Sequence, residues 1–218
     1  MYLPIFRGRQ YELLALEEEA ECNLFAHSLN LESQIIPIIE PINLTTRLHR
    51  TLSTFVERNS YVGVIFNPKR ELTGITSEEI AEFISTIDGS NEFVLPVIYI
   101  DDNSEHVFSI ITNLGYDESN CISICLEQSL IPQALAFHND KNQFLYTLVG
   151  ESRDFTRILA NHCGQLVLCN DRFHKLQRNS DYANNDNEFF SSDHLYFLSD
   201  SFAGFSDYSI VGNDLMIG

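Results

Sequence analysis

The sequence has no apolar run approaching the roughly 18 to 20 residues that a membrane-spanning helix needs, which excludes a helical membrane protein. Its N-terminus lacks the basic, apolar and small-residue zones of a secretory signal, so a cytoplasmic location is expected. Basic residues are scarce, 13 against 31 acidic ones, and the net charge of −18 disfavours extended contact with nucleic acid. Five cysteines, Cys22, Cys121, Cys125, Cys163 and Cys169, form no CxxC pair, and their odd number fits reduced thiols better than a disulfide framework. There is no P-loop, GxGxxG, GxSxG or HExxH, which removes the commonest nucleotide-binding, hydrolase and metalloprotease motifs. Without HxH, HxxE or DxD spacing there is also no motif for a metal centre, and no cofactor can be named.

What is present is alternation. YLPIF (2–6), IIPIIEP (35–41), YVGVIF (61–66), VLPVIYI (94–100), CISICL (121–126), QFLYTLV (143–149), QLVLC (165–169) and HLYFLS (194–199) are short and apolar, as strands buried on both faces of a parallel sheet must be. Between them lie stretches of helical period. Residues 43–58 follow a candidate cap at Asn43, and 76–89 pairs Thr76 with Glu79 as a capping box before Gly89. Residues 104–114 and 152–161 repeat the scheme; 10–22 and 129–137 complete it, with Pro132 tolerable only in a first turn.

Eight strands with intervening helices over 218 residues predict one (β/α)8 TIM-like barrel over residues 1–200, followed by an irregular C-terminal segment, 201–218. An open doubly wound parallel sheet is the alternative, because closure leaves no local signal. The Asn-rich stretch 172–193 is expected to be an irregular connection.

In a barrel, residues following each strand converge on one rim. Glu40, Asp171 and Asp200 are the candidate acid/base carboxylates, Glu40 being the sharpest because PIIEP places a charge at the end of an apolar strand. Arg7, Arg9, Gln10, Asn67, Asp101, Arg153, Asn170 and Arg172 are the candidate ligand-binding groups. An ion pair of Glu40 with Arg7 or Arg9 that merely ties two strand ends is the plain structural alternative. Two functions are compatible with this rim. One is a site for an anionic small molecule, a nucleotide or phosphodiester, gripped by Arg7, Arg9 and Arg172 with Glu40 or Asp171 as acid/base. The other is a non-catalytic barrel that docks a protein through Phe189, Phe190, Phe202, Phe205 and Tyr208.

MYLPIFRGRQYELLAL, IIPIIEPI, FNPKRELTG, LQRNSDYANNDNEFFSSDHLYF and GFSDYSIVG together resemble the prokaryotic and phage beta protein family, in the branch of bacterial members first recognised as a myxobacterial open reading frame. The matching positions are Arg7, Gly8, Gln10, Glu12, Glu40, Pro41, Asp193, His194, Phe205, Asp207 and Tyr208. The resemblance implies an accessory role in mobile elements or phage defence and a protein partner from a neighbouring gene. It carries no established activity or cofactor. It also implies a longer chain, continuing past the GFSDYS segment.

Overall fold

Eight parallel strands alternate with helices in a computed structural model that describes residues 1–29, 34–69, 72–139, 144–171 and 191–209. The first half runs β1 (Ile5–Phe6), α1 (Gln10–Glu21), β2 (Ile38–Ile39), α2 (Thr46–Glu57), β3 (Val62–Ile65), α3 (Ser77–Ser85), α4 (Ser90–Phe93) and β4 (Val94–Tyr99). The second runs α5 (Ser104–Asn113), β5 (Ile122–Cys125), α6 (Ile131–Asn139), β6 (Tyr146–Val149), α7 (Arg153–Leu159), β7 (Gln165–Cys169), α8 (Asp193–Tyr196) and β8 (Gly204–Ser206). Each strand pairs with the next in sequence.

The sheet closes on itself. Bridges join Tyr2 to Phe205 and Ile5 to Tyr208. The Leu3 amide donates to the Phe205 carbonyl at 3.0 Å, the Ile5 amide to Asp207 at 2.8 Å, and the Ser209 amide to Ile5 at 2.8 Å. The molecule is therefore a (β/α)8 barrel and not an open doubly wound sheet.

Two apolar layers hold it together. Leu3, Ile5, Ile38, Ile65, Val97, Ile124, Leu148 and Val167 fill the barrel interior. A larger layer, including Leu52, Phe55, Ile80, Val107, Phe144 and Phe155, lies between strands and helices. Each such side chain, fully buried, contributes about 1.5 to 3 kcal/mol. This double burial is why the strands read as unbroken apolar runs.

Several helix ends follow from local chemistry. The Thr76 hydroxyl accepts from the Glu79 amide at 3.2 Å while the Glu79 carboxylate accepts from the Thr76 amide at 2.8 Å, the expected reciprocal cap of α3. Pro132 is the second residue of α6, within the first turn. Helix α2, however, is capped by Thr45 and not by Asn43: the Thr45 hydroxyl accepts from the Leu48 amide at 3.2 Å.

The eighth strand departs from the sequence expectation. Residues 194–199 hold the one-turn helix α8 and the turn after it, and Leu195, Tyr196 and Leu198 are 65%, 56% and 72% exposed. The strand is Gly204–Ser206, so the barrel extends past residue 200. Its sequence conceals it for steric reasons. A Cβ on Gly204 would lie 2.7 Å from the Met1 carbonyl oxygen, so the seam with the first strand needs glycine. The inward Ser206 donates its hydroxyl to the Leu3 carbonyl at 2.6 Å instead of filling the interior with hydrocarbon.

Candidate functional site at the barrel mouth

Parallel strands bring all their C-terminal ends to one mouth. At β1 the chain turns sharply into α1 through Arg7-Gly8-Arg9. Gly8 has φ +62°, and a Cβ there would stand 3.1 Å from the Glu40 carbonyl oxygen. The Glu12 carboxylate accepts from the Arg7 amide at 3.2 Å and the Arg9 amide at 3.1 Å, and the Ser209 hydroxyl donates to it as well. One acidic side chain thus fastens the turn, the first helix and the segment after β8.

This turn sends Arg7 inward. Its Nη1 donates to Glu40 Oε2 at 2.7 Å, with side-chain exposures of 3% and 0%. The other oxygen, Oε1, accepts from the Lys69 amide at 3.0 Å, and the Tyr99 hydroxyl stands 3.5 Å from Oε2. The Arg7 guanidinium lies 5.3 Å from the Tyr208 ring centroid, and Lys69 Nζ lies 5.5 Å from that of Tyr99. Burial pushes the Glu40 carboxyl above the usual carboxylate range, opposed by the Lys69 amide, Arg7 and the Tyr99 hydroxyl. Burial also raises the Tyr99 and Tyr208 phenols, which remain protonated hydrogen-bond donors at neutral pH. These two hydroxyls shift each other's ionisation without meeting hydrogen-bond geometry, and the Tyr208 hydroxyl has no hydrogen-bond partner among the described residues.

Beside this cluster a cleft of about 770 Å³ opens over the ends of β3, β4 and β5. Ile75, Ile100, Ile124, Leu126 and Leu130 form its apolar wall; Lys69, Glu78, Asp101, His106 and Glu127 supply charge, and Tyr99 separates it from Glu40. Glu78 Oε1 and His106 Nε2 are 2.8 Å apart on its rim.

The residues expected to form the site are distributed as follows. Arg7 and Glu40 meet, as a buried pair. Arg9 and Gln10 are exposed where α1 begins and do not join them. Asn67 is committed to the fold: its side chain accepts from the Tyr99 amide at 2.8 Å and donates to the Tyr99 carbonyl at 2.8 Å and to Asp101 Oδ2 at 3.1 Å. Asp101 borders the cleft and accepts from the Asn103 amide at 2.8 Å. Arg153 is the exposed first residue of α7. Asn170 donates to Asp193 Oδ2 at 2.9 Å, and Asp171, exposed, follows β7 at the mouth.

Asp200 lies elsewhere. It sits in the turn leading into the N-terminal end of β8, where its amide donates to the Tyr196 carbonyl at 3.0 Å, so this candidate acid/base carboxylate does not stand at the mouth with Glu40 and Asp171. Arg172, Phe189 and Phe190 lie outside the described residues. Phe202 and Tyr208 are buried at 8% and 4% exposure, and Phe205 stacks on Tyr2 at 4.6 Å, so these aromatics pack the seam and present no docking patch. Lys69, Tyr99, Glu78 and His106 were missed as a constellation. They come from different elements, and only barrel closure and helix packing unite them.

The fold and mouth define a TIM-type barrel. Solved structures of that shape include tryptophan synthase from M. tuberculosis, in an open form with BRD0059 bound, with TM-score 0.55, 8% identity, and coverage of 96% of this chain and 83% of that one. A mutant tryptophan synthase alpha-subunit from the hyperthermophile Pyrococcus furiosus is similar at TM-score 0.53 and 8% identity, covering 96% and 87%. At this identity the likeness is one of fold alone. No family model matches the sequence. No curated protein matches it either. Among the described residues no helix is long and apolar enough to cross a membrane.

Proposed function

We propose that this barrel binds a small polar molecule in its mouth cleft. The observation that carries the reading is the cleft itself: about 770 Å³, within the range of ligand sites, with an apolar wall and five charged or titratable side chains on the end of the barrel where such sites are built. The neighbouring Arg7–Glu40 pair fixes its inner edge through Tyr99.

The same residues bear on ligand charge. A nucleotide or phosphodiester needs converging cations. Arg7 is engaged by Glu40, Arg9 stands apart, and in the cleft Lys69 faces the combined acidity of Glu78, Asp101 and Glu127. This balance favours an uncharged or amine-bearing polar ligand over a polyphosphate. Membership of the beta protein family, with its accessory or phage-defence setting, belongs to the same proposal and is supported by the sequence resemblance alone.

Gly74 gives a clean test. It lines the cleft with nothing within 4 Å of where a Cβ would stand. Thermal shift with a panel of sugars, amino alcohols, polyamines, carboxylic esters, nucleotides and phosphate esters should identify compounds that stabilise the wild type and not a folded Gly74→Phe variant. Equal stabilisation of both proteins, or none by any compound, would refute the reading.

A further inference from the structure

Glu78 and His106 stand in the first turns of α3 and α5, neighbouring helices on the outside of the barrel. Their side chains meet at 2.8 Å on the cleft rim, each 58% exposed and so within reach of solvent and of a bound molecule. An ionised carboxylate can only accept. Nε2 therefore carries the hydrogen, and in the neutral ring Nδ1 keeps a lone pair. Nδ1 makes no hydrogen bond among the described residues. The contact with His106 holds the Glu78 carboxyl below its ordinary range, so Glu78 stays ionised and steadies the imidazole. Glu105 lies on the same helix, Asp101 just before it, and Lys69 and Glu127 line the same cleft.

A carboxylate that fixes one imidazole nitrogen and leaves the other open beside a cleft is the arrangement of a general base. We propose that Glu78 and His106 are the acid–base pair of a hydrolytic site for small carboxylic esters. This rests on the mouth cleft being the ligand site. Nδ1 takes a proton from a water molecule as its oxygen adds to the ester carbonyl carbon. The bond from that carbon to the leaving oxygen then breaks, and the imidazolium returns the proton to the departing alkoxide. Acid and alcohol are released, and water is the only co-reactant. Carboxylic esters fit this lining, because they carry no anionic group that would demand converging cations where Lys69 stands against Glu78, Asp101 and Glu127, and their alkoxide leaves more readily than an amide nitrogen.

The test uses the full chain and 4-nitrophenyl acetate. Release of 4-nitrophenolate should be saturable and faster than with an equimolar solution of free imidazole, and Gly74→Phe should raise KM. His106→Asn should lower the rate by roughly 10²-fold without changing Tm, because the side chain is exposed. Glu78→Leu should lower kcat with KM little changed, since the ring loses the acceptor that fixes its tautomer and orientation, and Glu78→Gln, which keeps an acceptor oxygen, should restore most of the rate. A purely structural contact would leave kcat unchanged in both variants.

Wild type no faster than imidazole, an undiminished His106→Asn variant, or an undiminished kcat in Glu78→Leu would each overturn the proposal. If the compound panel still shows stabilisation blocked by Gly74→Phe, only the hydrolytic role has failed. If the panel is silent as well, the ligand reading falls with it.

Discussion

Arg7 and Glu40 meet at 2.7 Å with both side chains sealed from solvent, joining the first two strands of the barrel at the point where its mouth begins. Removing one partner leaves the other charge buried and uncompensated. Arg7→Met should cost about 3 to 5 kcal/mol of unfolding free energy, whereas Arg7→Met with Glu40→Leu should cost much less than the two single changes summed. Urea unfolding of the four proteins in the cycle measures this. Additive losses would mean that the pair is solvated.

Gly8 makes that meeting geometrically accessible. Its φ of +62° and the 3.1 Å approach to the Glu40 carbonyl oxygen leave little room for a side chain. Gly8→Ala should destabilise by about 1 to 2 kcal/mol from the left-handed backbone alone. Urea unfolding that shows no loss would mean that the turn relaxes without strain.

Asp207 gives a pH dependence with a definite sign. Burial raises its carboxyl above the ordinary range, the Tyr2 hydroxyl partly offsets this at 2.7 Å, and Asp193 and Asp171 raise it further. A carboxyl raised in the folded state contributes stability below its unfolded pKa and loses it as pH rises through the folded value. Asp207→Asn keeps an acceptor for Tyr2 and removes the titration. The variant's Tm relative to wild type should therefore be higher at pH 7 than at pH 4. A constant difference across that range would rule out Asp207 as the titrating group.

The thiols should separate by burial. Cys121, Cys125, Cys163 and Cys169 are buried and Cys22 is exposed. Burial pushes the Cys125 thiol up to about 11 and those of Cys163 and Cys169 up to about 12, far above the pH at which thiolates would form. Brief iodoacetamide treatment of the native protein should therefore give a single adduct, on Cys22, by intact-mass and peptide analysis. A second adduct without loss of fold would contradict the packing described for the other four.

How much of this the amino-acid string reveals depends on which force writes each feature. Val62–Ile65, Val94–Tyr99 and Ile122–Cys125 lie under helices on one face and in the barrel interior on the other, so burial demands hydrocarbon at nearly every position and the run is visible. Gly204–Ser206 is visible only once Met1 and Leu3 are known to lie against it, and the apolar Leu195 and Leu198 nearby are exposed. Glu40 stood out because it is a charge flanked by Ile38, Ile39 and two prolines. Asn67 looked like a ligand group because strand-end polar residues often are, yet its amide is consumed by the Tyr99 backbone. Glu78 and His106, 28 positions apart, each look like ordinary surface residues, and only the packing of α3 against α5 brings them together.

The seam between the first and last strands also governs how the molecule can be made. The Tyr2 hydroxyl and the Asp207 carboxylate are partners across 205 positions of sequence, among the most non-local contacts a chain of this length can form. A nascent polypeptide must hold its opening strand edge unmatched until nearly all of that sequence has emerged. Closure consequently waits for the eighth strand, and shielding of that edge while the intervening strands are translated is a demand imposed by the topology itself.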